Sequence, residues 1–318
     1  MTKFLCAATF LLVATTAQAS ITADAISNAD YNGGALPDGQ SGLAVKVQVL
    51  LDRADISPGV IDGYRGGMTT SAISAFETRE GLEVDGVLDQ TVWDKLGGDG
   101  ASAIVKQHQI TESDLSQFTG ENPEDYAEMA KKDLLGYVTA AEALAEAFHM
   151  DVDFLTTLNP DSDFSAGSTI TVVAPKDPAE AEVAQIIVNK SSQRLVAKTA
   201  DGTIVANYPV SVGSSQTPSP AGTFEVNGIA IDPTYTYNPD KNFQQGENDQ
   251  VLQIPPGPNG PVGSVWIDLS KPTYGIHGTP DPAALFTAQS HGCVRMTNWD
   301  ARELAGMVSA GVSVVFEE

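Results

Sequence analysis

The chain has 318 residues, and 41 acidic against 17 basic side chains give it a net charge of −24. That surplus repels polyphosphate and anionic lipid, which excludes nucleic acid and an acidic membrane surface as partners. The length suits two or three domains, and the two cysteines cannot build a disulfide framework.

The first residues, MTKFLCAATFLLVATTAQAS, place one lysine before an apolar run and small residues at 17–19. This pattern predicts a signal peptide over 1–19, too short to span a bilayer, and hence a periplasmic protein without membrane insertion. Cys6 falls inside it, so the mature chain keeps Cys293 alone. Residues 20–41 lack periodicity and read as a flexible leader. Over 42–98, Val45–Leu51 suits a helix face, Met68–Phe76 a helix opened by capping threonines, and Thr91–Leu96 a short amphipathic helix. Turns at Asp62-Gly63 and Asp85-Gly86 separate them. The order helix, DG turn, helix, DG turn, TxxWxxL resembles the small helical peptidoglycan-binding domain of bacterial wall enzymes.

Residues 99–132 are charged and patternless and read as a linker. Over 133–176, a strand, two helices around His149, the turn Leu158-Asn159-Pro160 and a strand after Gly167 resemble a divergent LysM module, a βααβ fold. Ala140-Ala141 stands where that family has a glycine-aspartate entry, so a structural remnant and a glycan reader both stay open. Beyond 183 come short runs rich in branched and aromatic residues: 185–189, 194–198, 205–212, 222–226, 262–269 and 312–316. Strands at this spacing predict a mainly-β domain over 183–318, a sandwich or barrel. One helix starts at Asn298, read as its cap, and ends before Gly311. Residues 233–250 form a polar, aromatic-bearing insertion, read as a lid or one wall of a substrate groove.

The chemistry gathers at Ser290-His-Gly-Cys-Val-Arg295. An unpaired thiol in an exported chain is either inert and buried or reactive. His277, sixteen positions upstream, supplies an imidazole able to take its proton and lower its pKa. Gly292 lets backbone amides approach a substrate carbonyl, as an oxyanion site requires. Arg295 offers a fork for a substrate carboxylate, or else a surface ion pair with Asp300 or Glu303. His108 and His149 lie in other units, so no metal or cofactor is expected. A papain-like peptidase would place its cysteine before its histidine, the reverse of this order.

The pieces Tyr208–Gly213, Pro218–Phe224, Pro255–Gly263, Ile276–Thr279 and Ser290–Met296 resemble, in family order, the catalytic domain of the L,D-transpeptidases of bacterial cell walls. The resemblance implies a multidomain chain with a β-sandwich catalytic domain. It makes Cys293 the nucleophile and His277 the general base. Gly292 and Cys293 would supply oxyanion amides, Ser290 and His291 would shape the site, and Tyr274, Gly278 and Arg295 would bind substrate. It also implies peptidoglycan stem peptides and glycan strands as partners, with an amine as acyl acceptor, among them a lysine of an envelope protein. Where water is the acceptor, the same site is an L,D-carboxypeptidase. A wall-binding scaffold without catalysis is the reading from another class, and an oxidisable thiol argues against it. The stretch Pro282–Thr287 departs from the family's loop, which often carries a glycine.

Overall fold

The computed structural model describes residues 21–318, so the expected signal peptide over 1–19 and Cys6 lie outside the described residues. Among these residues no helix is long and apolar enough to cross a membrane.

The N-terminal half runs α1 (Ala23–Ser27), α2 (Gly42–Arg53), α3 (Gly67–Glu80), α4 (Gln90–Lys95), β1 (Val105–Gln109), α5 (Tyr126–Met129), α6 (Ala140–Ala147), α7 (Val152–Leu158) and β2 (Thr169–Val173). Side-chain caps fix most starts: Ser41 for α2, Asp89 for α4, Asp151 for α7, and a Thr139–Glu142 capping box for α6. The threonines of α3 do not cap it. The helix starts after Gly66, and the Thr69 hydroxyl is buried against the Tyr64 carbonyl and Gln48.

Three expectations are corrected here. Residues 20–41 are not a flexible leader, because Ile26 and Leu36 are buried and α1 packs so closely on α2 that a side chain at Gly42 would strike the Ala25 carbonyl. Residues 99–132 are not a linker, since they hold β1 and α5. The entry strand expected near Tyr137 is in fact β1, which pairs antiparallel with β2 from Val105↔Val173 to Gln109↔Thr169. The βααβ unit thus closes around an insertion between β1 and α6. The likeness to a LysM module, which needs its strand next to its first helix, is not sustained. Nor is the unit separate from the helical domain: Ile73, Phe76 and Trp93 share one core with Leu144, Phe154, Ile170 and Val172.

The second half runs β3 (Gln185–Asn189), β4 (Arg194–Lys198), β5 (Ile204–Pro209), β6 (Gly222–Ile231), β7 (Tyr235–Tyr237), β8 (Leu252–Ile254), β9 (Val265–Leu269), β10 (Gly275–His277), β11 (Val294–Arg295), α8 (Asn298–Met307) and β12 (Ser313–Glu317). Eight strands form one mixed sheet in the order β11-β10-β9-β6-β12-β3-β4-β5. A sandwich or barrel was expected, and the strands instead form one curled sheet because β6 belongs to both halves. It pairs with β12 through 222–225 and with β9 through 226–231, with a register shift between Val226 and Gly228. Such a bulge bends a strand and lets one sheet curl on itself. Ile186, Leu195 and Tyr208 from one half therefore share a core with Ile267, Ile276 and Val294 from the other and with Leu304 of α8. Each such side chain removed from water contributes about 1.5–3 kcal/mol. The Thr297 hydroxyl, not Asn298, caps α8.

Candidate active site

Strand pairing brings the two segments together. β10 and β11 run parallel, with Ile276 beside Val294 and His277 beside Arg295. Ile276 and Val294 point into the core, so the alternate residues His277, Arg295 and Cys293 share the opposite face. His277, Cys293, Ser290, His291, Arg295 and Trp266 line one cavity of about 240 Å³.

The imidazole is held from two sides. Its Nδ1 lies 2.7 Å from the carbonyl oxygen of Gly278. That contact assigns the proton to Nδ1 and leaves the Nε2 lone pair free to accept one. Trp266, across the ladder from His277, stacks on the ring at 5.7 Å between centroids. His277 is only 5% exposed, and this burial, aided by the Arg295 charge, pulls its pKa down to about 4. The Cys293 thiol moves the other way: burial raises it, partly offset by a Gly275 backbone bond and by Arg295. The sulfur's hydrogen bond runs to the carbonyl of Thr273 at 3.7 Å, not to the ring. Thr273 has φ of +72°, a strained conformation for a β-branched residue. Both shifts favour the uncharged forms, a thiol and a neutral imidazole, in the absence of substrate.

The loop before the cysteine is locked by Ser290. Its hydroxyl accepts the Gly292 N–H at 3.0 Å and donates to the Cys293 carbonyl at 2.5 Å. Ser219 donates to the Gly292 carbonyl at 2.8 Å. Gly292 has φ of +119°, and a Cβ there would lie 2.9 Å from the Tyr274 ring. This glycine serves a left-handed turn under an aromatic ring. Its amide is already used, so it is not a free oxyanion donor as expected. The Cys293 amide engages no acceptor among the described residues and stays available.

A family model for the L,D-transpeptidase catalytic domain matches residues 184–316, and one for a peptidoglycan binding domain matches 40–96. The "Putative L,D-transpeptidase YkuD" of Bacillus subtilis (strain 168) is 30% identical over 174 residues, covering 54% of this chain and 90% of the relative. Its namesake from Bacillus licheniformis is 31% identical over 176 residues, again covering 54% and 90%. The chain belongs to the L,D-transpeptidase family. It is an enzyme of peptidoglycan, joined to a peptidoglycan-binding domain. Among solved structures, the catalytic domain from the E. faecium L,D-transpeptidase is 24% identical, covers 43% of this chain and 99% of its own, and aligns at a TM-score of 0.33.

In this transpeptidase the ion pair considered for Arg295 does not form. Asp300 accepts from Ser57 Oγ at 2.9 Å and Glu303 is paired with Lys176. Among the described residues the Arg295 guanidinium bonds only the Gln289 carbonyl, at 3.3 Å, and it faces the cavity. Tyr274 lines the same cavity, under Lys271 and over Gly292. Gly278 does not line it. Its Cα packs against Asn298 instead, where a Cβ would sit 2.0 Å from Oδ1. His291 is exposed and stacks on Phe243 at 4.1 Å, nearly parallel. Phe243 belongs to the 233–250 insertion, whose residues Tyr235, Lys241, Asn242 and Phe243 form one wall of the cavity.

Two contributors escaped the sequence. Trp266 follows from the alternation of β9, where Val265, Ile267 and Leu269 face the core and Trp266 must face the other way. Tyr126, on α5, had no such signal: it lines the cavity from the N-terminal half and packs edge-on against Tyr235, Tyr237 and Phe243. Among the described residues no group of three or more His, Cys, Asp or Glu side chains is placed to hold a metal ion.

Proposed function

We propose that the protein is a periplasmic L,D-transpeptidase that cleaves the bond between diaminopimelate and D-alanine in tetrapeptide stems. The observation that carries this is the shared face of His277, Cys293 and Arg295, with the ring's Nδ1 proton committed to Gly278 and its Nε2 free. Substrate entry displaces the thiol from the Thr273 carbonyl. Nε2 takes the thiol proton as sulfur attacks the carbonyl carbon, so no isolated thiolate need exist beforehand. The Cys293 amide donates to the developing oxyanion, a contact worth about 3–4 kcal/mol in comparable sites. The imidazolium returns its proton to the departing D-alanine amine, leaving a thioester. An incoming amine repeats the sequence in reverse: a second diaminopimelate for a 3→3 cross-link, an envelope-protein lysine, or a free D-amino acid. Arg295 holds a stem carboxylate, and the wall from 233–250 covers the peptide. With water as acceptor the same steps make a carboxypeptidase.

Incubation with disaccharide-tetrapeptides tests this reading. The expected products are free D-alanine and cross-linked dimers, both lost in Cys293→Ala and in His277→Ala. Dimers formed by the Cys293→Ala protein would overturn it, and monomeric tripeptide as sole product would select the carboxypeptidase.

A further inference from the structure

We infer that Glu146, from the N-terminal half, is a positioning residue for the imidazole of His277. The inference rests on His277 acting as base, as proposed above. Glu146 sits on α6, in the unit that packs over the start of α8, and both its oxygens are engaged. Oε1 accepts from the Tyr137 hydroxyl at 2.9 Å, and Oε2 from Asn298 Nδ2 at 3.2 Å.

Asn298 is the link. It is 1% exposed, and its second Nδ2 hydrogen goes to the Pro258 carbonyl at 3.2 Å. With both hydrogens spent in that direction, Oδ1 must face the other way. There it accepts the Ser264 N–H at 3.0 Å. It also presses on two glycines, since a Cβ on Gly263 or Gly278 would lie 2.1 or 2.0 Å from it. Gly278 is the residue whose carbonyl takes the Nδ1 proton of His277 at 2.7 Å. Three successive contacts thus run from Glu146 through the Asn298 amide and the Gly278 peptide to the ring of His277.

Loss of the carboxylate leaves one Asn298 N–H without an acceptor in a buried site. The amide is then held by Pro258 and Ser264 alone, and a tilt toward a new acceptor shifts Oδ1 against Gly278. Nothing in this chain of contacts touches substrate, so its loss should alter the chemical step and not binding.

The test uses the full-length protein, measuring kcat and KM for D-alanine release alongside the melting temperature. Glu146→Gln keeps an acceptor for Asn298 and offers a donor to the Tyr137 oxygen, so kcat should stay near that of the unsubstituted protein. Glu146→Leu has no acceptor, and Glu146→Asp keeps the charge but falls a methylene short. Both should lose on the order of tenfold or more in kcat with KM unchanged, as small misplacements of a reacting group do. The Nδ1 proton signal of His277 in a ¹⁵N-histidine spectrum should persist in Glu146→Gln and exchange away in Glu146→Asp. Should the leucine protein not fold, the aspartate protein carries the test. Unchanged kcat in the aspartate protein, or equal losses in the glutamine and leucine proteins, overturns the inference. Absence of Cys293-dependent D-alanine release in the unsubstituted protein would instead overturn the proposed function, so the two failures are distinguishable.

Discussion

Burial shifts Cys293 and His277 in opposite senses, and the signs decide how the site must respond to pH. The thiol lies above its ordinary value and the imidazole falls to about 4, so near neutrality both are uncharged. A thiolate–imidazolium pair needs the reverse order, a thiol that ionises below the ring. Alkylation of the substrate-free enzyme by iodoacetamide should therefore rise about tenfold per pH unit through the alkaline range, because only thiolate reacts. Turnover of substrate should hold from neutrality down to moderately acid pH and fall as the ring protonates near pH 4. A flat, fast alkylation rate between pH 5 and 8 would show a preformed ion pair and contradict the neutral site. The sequence singled out the His277 and Cys293 motifs, and both residues line one cavity. Their charge state depends on Trp266 and on the depth of β10 in the sheet, and no spacing of motifs reveals those.

The hairpin of β7 and β8 shows what was legible among elements and what was not. Residues 233–250 read as a groove wall because they interrupt a run of strands with polar and aromatic side chains. What supports that wall is α5, four positions of no pattern in a stretch read as linker. The strand β1 was missed for a related reason: Val105-Lys-Gln-His-Gln109 is an edge strand with little apolar alternation to announce it. By contrast β3, β4 and β9 bury apolar residues at alternate positions, and α2 and α6 have apolar faces beneath good caps. Leu135, Tyr237 and Ile254 form a separate small core under the hairpin, flanked by Tyr126 and Met129. Edge-on aromatic pairs contribute about 0.5–1.5 kcal/mol each, and Tyr126 makes three. Tyr126→Ala should thus loosen the wall by roughly 2–4 kcal/mol without touching the main sheet. The expected readout is a raised KM for tetrapeptide, faster proteolysis within 238–250, and a melting temperature close to that of the unsubstituted protein. Unchanged KM with an equally protected hairpin would remove α5 from the substrate groove.

At the scale of the molecule, the two halves are joined by contacts that neither can replace alone. Ser57, in the loop after α2, donates to the buried Asp300 at 2.9 Å, and its carbonyl accepts from Arg194 at 3.0 Å. Ile56 bridges to Asn207, covering the edge of β5 that would otherwise present unpaired backbone groups. Lys176 is held between Asp55 and Glu303, while the His149 ring stacks on Trp299 at 5.2 Å. Cutting the chain at 180 would take one partner each from Asp300, Arg194 and Asn298, all at most 3% exposed: the Ser57 hydroxyl, the Ser57 carbonyl and the Glu146 carboxylate. Buried polar groups left unpaired cost about 1–3 kcal/mol apiece. A fragment of 180–318 should accordingly melt on the order of 10 °C or more below the full chain, at a few degrees per kcal/mol for this size. It should also turn over more slowly, since Glu146 and Tyr126 leave with the N-terminal half. The full chain should unfold in one calorimetric transition, because breaking either core exposes the groups that the other satisfies. Two well-separated transitions, or a fragment as stable as the whole, would make the N-terminal half a tethered passenger, and the sharing of its side chains with the catalytic groove would then be incidental.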